Sequence, residues 1–464
     1  MKRLPTGPSA ALAAWLLAAG LAACAAPPPI DGRLAQPATT VRLDGAHGPL
    51  SAERSRAILE QLKSSGRDTG IFARHLALEQ ALVDTPLVTG NKVELLHDGP
   101  ATYDAMFAAI ARAKDHINLE TYIVEDDAVG RRFADALIER QRDGVQVNLI
   151  YDGVGSLRTP RAFFDRLRAS GIRLLQYNPV NPLLARVGWD VDERDHRKLL
   201  VVDGRVAFLG GINISDVYSS GSSTGGGSDG APADSLPWRD TDLRIEGPVV
   251  ADFQRLFLDT WASQKGPPLP PRDYFPHVAP VGRSVVRAIG GSPDEPYSQI
   301  YATLISAIAS AETEVLLTNA YFAPDAQLLE ALKGAVARGV DVKLLLPSTT
   351  DSSLVFWAGR SYYGELLEAG VKVYERHGAL LHSKTALIDG VWSTVGSTNL
   401  DWRSFVHNRE VNAVVLGDEF GRRMRAMFDA DLADSAPVTL AQWQRRPLGM
   451  RLKEWFGRIW RYWL

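Results

Sequence analysis

The sequence predicts an α/β protein whose body is duplicated. Segments of helical apolar spacing alternate with short, continuously apolar strands, as expected where strands are covered on both faces. The alternation runs through the same order of elements twice. Both copies arrive at one chemical pattern: "DHRKLLVVDG" spans 195–204, "LHSKTALIDG" spans 381–390, and each contains H-x-K-x(4)-D.

At 464 residues the chain is long enough for two or three domains. Its 45% apolar and 23% charged content is that of a globular protein and excludes wholesale disorder. The net charge of −3 lacks the basic excess of a protein that embraces long nucleic acid, so nucleic acid is not an expected partner.

The first segment, "MKRLPTGPSAALAAWLLAAGLAAC", has Lys2 and Arg3, then an apolar run, then small residues. That order describes a secretory signal over 1–23. Leu21-Ala22-Ala23-Cys24 is similar to a bacterial lipobox, and Cys24 is the only cysteine, so no internal disulfide can account for it. An uncleaved anchor is the alternative, but the apolar run falls short of the ~20 residues a spanning helix needs. The expected location is the cell envelope: a lipoprotein facing the periplasm on the outer membrane. Residues 24–90 read as a Pro-rich tether, to about residue 50, followed by a helical lead-in with Ile58, Leu62, Ile71, Leu76 and Leu82 at helical spacing.

The first repeat occupies 91–265 and the second 284–440. "ATYDAMFAAIARAKDHINLETYIVEDD" and "QIYATLISAIASAETEVLLTNAYFAPD" both read as helix then strand. "FADALIERQRDGVQVNLIYDG" matches "LLEALKGAVARGVDVKLLLPS", and "FFDRLRASGIRLLQYNP" matches "YYGELLEAGVKVYERHG". The Gly/Ser-rich stretch from Gly221 to Ser235 reads as a flexible loop inserted in the first repeat, at the surface or near the mouth of the site. Clustered prolines make 266–283 the linker. Residues 441–464 read as an amphipathic helix with Leu452, Trp455, Phe456, Ile459 and Trp463 on one stripe, and Arg451, Lys453, Arg458 and Arg461 mostly off it. Such a helix suits a bilayer interface or docks on the core.

Each element extends beyond its aspartate to Gly210-Gly211-Ile212-Asn213 or Gly396-Ser397-Thr398-Asn399. On a strand, alternate side chains share a face, so His196 lies beside Lys198 and His382 beside Lys384. A lysine next to each histidine repels a metal cation, so no metal is expected; the set suits an anion, and phosphate is the common one. Asn213 and Asn399 add neutral donors. If the halves pack face to face, two histidines and two lysines converge on one phosphate. One imidazole attacks phosphorus and the other protonates the leaving alkoxide. A carboxylate behind each ring would tune it, and "WRDTDLRI" aligned with "NREVNAVV" offers Asp240 and Glu410, with Arg239 opposite Arg409. Tyr122 and Tyr321, at matched strand ends, either meet a headgroup or pack in the core. The other histidines, including His97, His116, His377 and His407, have no matching spacing and read as surface or packing residues.

The duplicated element resembles the phospholipase D superfamily over about residues 91 to 440. "INLETYIVEDDAVG", "NAYFAPD", "WRDTDLRIEGP" and "LHSKTALIDGVWSTVGSTNLDWRS" are similar to the bacterial cardiolipin synthase branch. The resemblance implies two α/β sandwich domains related by a pseudo-twofold axis, with the active site at their interface and no cofactor. It adds Asp203 and Asp389 to the catalytic set, with a role more structural than chemical, and His196 as nucleophile. It implies phosphatidyl transfer between phospholipids, with phosphatidylglycerol or a similar lipid as substrate, at a membrane surface; a monomer is sufficient for the active site. Hydrolytic phospholipase D activity, a nuclease and a non-catalytic lipid-binding protein are the alternatives. Cardiolipin synthases commonly face the cytoplasm or carry N-terminal membrane helices, so the lipobox is a departure that leaves the acceptor alcohol open.

Overall fold

Two sheets joined edge to edge form the frame of the molecule. The structure, a computed structural model, describes residues 41–62, 71–181, 190, 192–221 and 236–460, without the side chain of Ala73. The signal segment 1–23, Cys24, most of the tether, the loop beyond Gly221, and Arg461 and Trp463 lie outside the described residues.

A small hairpin, β1 (Leu43–Gly45) and β2 (Gly48–Pro49), precedes two helices, α1 (Ala52–Leu62) and α2 (Ile71–Leu82). The first half then builds β3 (Leu87–Leu96), α3 (Gly99–Arg112), β4 (His116–Thr121), α4 (Ala128–Arg142), β5 (Gln146–Asp152), α5 (Arg161–Ala169) and β6 (Arg173–Tyr177). It continues with β7 (Arg194–Asp195), β8 (Lys198–Val202), β9 (Val206–Gly210), β10 (Trp238–Arg239), β11 (Asp242–Glu246) and α6 (Val250–Ser263). The second half repeats the order: β12 (Ser284–Gly291), α7 (Gln299–Ser310), β13 (Glu314–Asn319), α8 (Ala326–Ala337), β14 (Asp341–Pro347), α9 (Ser353–Arg360), α10 (Tyr363–Glu368) and β15 (Lys372–Arg376). Then come β16 (Leu380–Leu381), β17 (Lys384–Ile388), β18 (Trp392–Gly396), α11 (Trp402–Val406), β19 (Asn408–Leu416), α12 (Asp418–Ala433) and β20 (Ser435–Val438). Helices α13 (Leu440–Gln444) and α14 (Leu448–Ile459) close the described chain.

Strand order in the first half is β6-β5-β4-β8-β9-β11-β3, and in the second β15-β14-β13-β17-β18-β19-β12. The two orders are identical, element for element, and β3 joins β12 antiparallel at Ser284↔Asn91 and Val286↔Val88. The continuous apolar strands have a plain cause. Leu199 and Val201 face a core shared by both halves, together with Leu387, Val395 and Val411, whereas Leu200 and Val202 face the outer helices. Phe253 and Phe257 of α6 and Met424 and Phe428 of α12 fill the shared core.

Two features differ from the sequence expectation, the end of the tether and the single C-terminal helix. The tether does not run to residue 50: Leu43 is fully buried and β1 pairs parallel with β3, Leu43↔Leu87. A three-residue strand is too short to show a period. The helical lead-in packs on the body. Helix α2 packs on the second half: His75 Nδ1 lies 3.0 Å from Ser306 Oγ, and buried Glu79 faces buried Arg287 at 3.5 Å. The C-terminal region is two helices, because Pro447 cannot continue α13 and instead opens α14.

The motif aspartates sit in the β8–β9 and β17–β18 turns, with φ of 53° at Asp203 and 52° at Asp389. Asp203 accepts from the backbone N–H of Lys114 (2.9 Å), Asp115 (2.8 Å) and His116 (3.0 Å), and so fixes the start of β4. Asp389 does the same with Glu312 (3.0 Å), Thr313 (2.8 Å) and Glu314 (3.0 Å) ahead of β13. Asp389→Ala leaves these donors without a carboxylate. It should lower stability by about 2–4 kcal/mol in chemical denaturation while the folded fraction keeps its turnover. An unchanged midpoint would show that water replaces the carboxylate without cost.

Candidate active site

Two very short strands assemble the site. β7 pairs in parallel with the start of β19 (Arg194↔Asn408, Asp195↔Arg409), and β10 pairs in parallel with β16 (Trp238↔Leu380, Arg239↔Leu381). Each pairing crosses from one half to the other. At their ends His196 N–H donates to Arg409 O (2.9 Å) and His382 N–H donates to Arg239 O (2.7 Å). The residue after each arginine is therefore delivered to the ring of the opposite half. His196 Nδ1 donates to Glu410, 3.0 Å from both oxygens, and His382 Nδ1 donates to Asp240 Oδ2 at 2.7 Å. A carboxylate on Nδ1 fixes the tautomer and leaves Nε2 as the nitrogen offered to a phosphorus.

The two lysines turn back on the same elements: Lys198 Nζ donates to His196 O at 2.7 Å, and Lys384 Nζ donates to His382 O. All four side chains are buried. Burial, assisted by the Lys198 and Lys384 cations against the pull of Glu410, lowers His196 to about 4. Burial and Lys384 lower His382, while Asp240 opposes them. Burial also brings Lys198 down to about 7 and Lys384 to about 8, against the neighbouring carboxylates. At neutral pH the unliganded site therefore holds neutral imidazoles and lysines close to their titration points.

The supports are paired as well. Ser397 Oγ donates to Glu410. At the equivalent Gly211 a Cβ would lie 2.2 Å from Asp240 Oδ1, so only glycine lets that carboxylate in. Arg197 spans the halves, donating to Thr260 Oγ1 (2.9 Å), Glu410 O (2.9 Å) and Gly291 O (3.1 Å). Arg239 makes a bidentate pair with Asp431 (2.8 and 2.7 Å), and Arg409 donates to Tyr177 OH at 3.1 Å. Tyr122 meets His196 edge-on at 5.1 Å between centroids, and Tyr321 meets His382 edge-on at 6.0 Å. Trp238 and Tyr218 also flank His382, at 5.1 and 6.1 Å.

Thus His196, Lys198, His382, Lys384, Asp240 and Glu410 converge. Asp203 and Asp389 do not, and their inclusion in the catalytic set is corrected: each lies seven residues beyond its histidine, about 20 Å along a strand, on the turn that fixes β4 or β13. Asn213 is occupied as a brace, accepting from Ile123 N–H (3.2 Å) and donating to Tyr218 OH (3.1 Å). Asn399 is buried, and its oxygen has no hydrogen-bond partner among the described residues. His116 is a packing residue bonded to Asp115 and Gln254. Sequence reasoning passed over Gly211 and Ser397 as chemistry, although G-[GS] was in the motif. It also passed over Arg197, whose counterpart in the second copy is Ser383, so the repeat gave no signal. Metal-ligand spacing occurs among the described residues at Glu125, Asp127 and Asp216. Two of the three carboxylates already serve as local acceptors: Asp127 takes Gly130 N–H (2.8 Å) and Asp216 N–H (2.6 Å), and Glu125 takes Ser215 Oγ (2.6 Å).

Comparison with known proteins identifies the family. The family described as "Cardiolipin synthase, PLD-like domain" matches residues 106–220 and 304–432. A cardiolipin synthase of Geobacillus kaustophilus (strain HTA426) is 36% identical over 387 residues, covering 83% of this chain and 74% of that protein. The major cardiolipin synthase of Bacillus subtilis (strain 168) is 34% identical over 373 residues, covering 80% of this chain and 74% of its own. Among solved structures, phosphatidylserine synthase from Haemophilus influenzae Rd KW20 superposes with a TM-score of 0.60 at 14% identity, covering 82% of this chain and 96% of that one. That likeness is one of fold.

The lowered lysine values predict proton uptake on anion binding. At pH 7.5 Lys198, lowered to about 7, is largely neutral in the unliganded site. A bound dianion favours the charged form and raises that value, so protons enter. Titrating sulfate into the protein calorimetrically in buffers of different ionisation enthalpy should show net uptake, diminished in Lys198→Met. Heats independent of the buffer would contradict the assignment.

Proposed function

The chain belongs to the phospholipase D superfamily, in its cardiolipin synthase branch, and from that premise we propose that it moves a phosphatidyl group from one phospholipid to the hydroxyl of another. It is a phosphatidyltransferase of the phospholipase D type. The observation that carries the proposal is the crosswise pair: two histidines from separate halves, each held at Nδ1 by the other half's carboxylate.

In the proposed cycle His196 Nε2 attacks phosphorus, and the P–O bond to the leaving alcohol breaks. His382 gives its Nε2 proton to the departing alkoxide, leaving a phosphatidyl group on His196. The acceptor hydroxyl then loses its proton to His382 and attacks the same phosphorus, which frees His196. Lys198 and Lys384 hold the non-bridging oxygens, where charge builds in the transition state. A phosphodiester anion between the rings raises the pKa of His382, which burial keeps neutral without it. The choice of His196 as nucleophile rests on resemblance. Phosphatidylglycerol or a similar lipid is the donor. One chain supplies both histidines, so a monomer suffices. Hydrolysis differs only in having water as acceptor and is the second reading.

The lipobox at Leu21 to Cys24 supports a lipid-anchored envelope protein. Ala25 follows Cys24 with no aspartate to mark inner-membrane retention, which favours the outer membrane, with the catalytic body in the periplasm. Among the described residues no helix is long and apolar enough to cross a membrane.

His196→Ala and His382→Ala should each lower turnover by roughly 10³-fold or more without unfolding the protein. The assay is labelled phosphatidylglycerol in vesicles, with and without added alcohols, and identification of the products. Cardiolipin with released glycerol marks transfer, and phosphatidic acid marks hydrolysis. Full lipid product from both variants would end the proposed mechanism. Cys24→Ser should abolish incorporation of a tagged fatty acid in cells. A wild-type protein that takes up no label and keeps its N-terminal methionine would exclude the lipoprotein assignment.

A further inference from the structure

Helix α14 is docked by the face opposite its apolar stripe. Gly457 lies against α9, where a Cβ would sit 2.5 Å from Ala358 N, so the two helices touch backbone to backbone. Glu454, on the same side, is buried and takes both a 2.9 Å and a 3.0 Å hydrogen bond from Arg446 Nε. The stripe is left bare: Leu452 is 66% exposed, Trp455 62%, Phe456 52% and Ile459 53%. Apolar side chains of this size rarely stand together on a surface without a partner.

The charge around the stripe is of one sign. From Thr439 to Trp460 the sequence contains one carboxylate, Glu454, and it is buried. Arg445, Arg451, Lys453 and Arg458 are all exposed. Lys453 Nζ stands 5.0 Å over the Trp357 ring, and Arg458 stands 4.8 Å over Tyr362, so basic heads rim the apolar surface. The surface also adjoins the phosphate site. Tyr321, beside His382, donates to Asp351 at 2.5 Å, and two residues later α9 begins, with Leu354 and Trp357 extending the apolar face of α14.

We propose that α14, with Leu354 and Trp357 of α9, is an interfacial platform that enters the headgroup region of an anionic phospholipid bilayer and sets the catalytic edge of the second half against it. Bare tryptophan and phenylalanine flanked by arginine and lysine match a surface that is apolar below and negatively charged above. A second copy of this chain would bring the same positive charges together. The proposal rests on the lipid-phosphate function only for its consequence for turnover; insertion is measured separately.

The test uses the full chain with Cys24→Ser and Ile459→Cys carrying an environment-sensitive nitrobenzoxadiazole label. A control label goes at Glu139→Cys, on α4 at the end remote from the site. Vesicles of phosphatidylcholine with phosphatidylglycerol should raise emission at position 459 about threefold or more. A bilayer-embedded quencher should reverse the rise, 0.5 M salt should weaken it, and the control should not respond. The triple variant Trp455→Ser/Phe456→Ser/Ile459→Ser should lose tenfold or more of its turnover on vesicles. It should stay within about twofold of wild type on short-chain phosphatidylglycerol below its critical micelle concentration. No response at 459, a response to protein concentration without vesicles, or equal loss on both substrates would each overturn the platform. Insertion with no turnover of either lipid by the wild type would overturn the catalytic proposal and leave the platform standing.

Discussion

The structure depends on an exchange of two-residue strands across its pseudo-twofold axis. β7 lies on β19 and β10 lies on β16, so each histidine is completed by a carboxylate from the other half. Neither half supplies both a histidine and the carboxylate that holds it. The exchange is held by buried arginines, Arg197 reaching β12 and β19 and Arg239 clamping Asp431 on α12. Cutting one partner of such a buried pair leaves a charge without its counterpart, which costs several kcal/mol. The interface is therefore rigid where the chemistry needs it to be.

That rigidity fixes the electrostatics. Burial withdraws water from two imidazoles, two ammonium groups and two carboxylates at once, and the site answers by giving up protons. Symmetry is kept where it matters and relaxed elsewhere. Asp242 in the first half, buried and driven well above the ordinary carboxyl range by burial, occupies the position of Asn412 in the second. A protonated acid and an amide present similar hydrogen-bonding groups there.

Much of this was legible in the sequence, for physical reasons. Duplication and alternating apolar runs specify two like sheets, since strands such as Leu199–Val202 must bury side chains on both faces. The pairing of His196 with Lys198, and of His382 with Lys384, follows from strand periodicity, and aligning the repeats singled out Asp240 and Glu410. Which carboxylate serves which ring was not legible, because β7, β10 and β16 are too short to leave a pattern. That Asp203 and Asp389 anchor the starts of β4 and β13 was not legible, because motif spacing counts residues and not the distance along an extended strand. The stripe on α14 was visible, but the face that binds is decided by Gly457 and Glu454, which hydrophobic periodicity ignores.

The helical lead-in bears on how the protein comes to exist. Residues His75, Glu79 and Leu82 are made before either half, yet their partners are Ser306, Arg287 and Tyr297. More than two hundred residues separate the members of each contact, and closing loops of that length is slow. The lead-in has no complete binding surface until much of the second half has emerged from the ribosome. The final closure of the molecule is thus deferred to late synthesis, when the strands that the lead-in helix covers have been made.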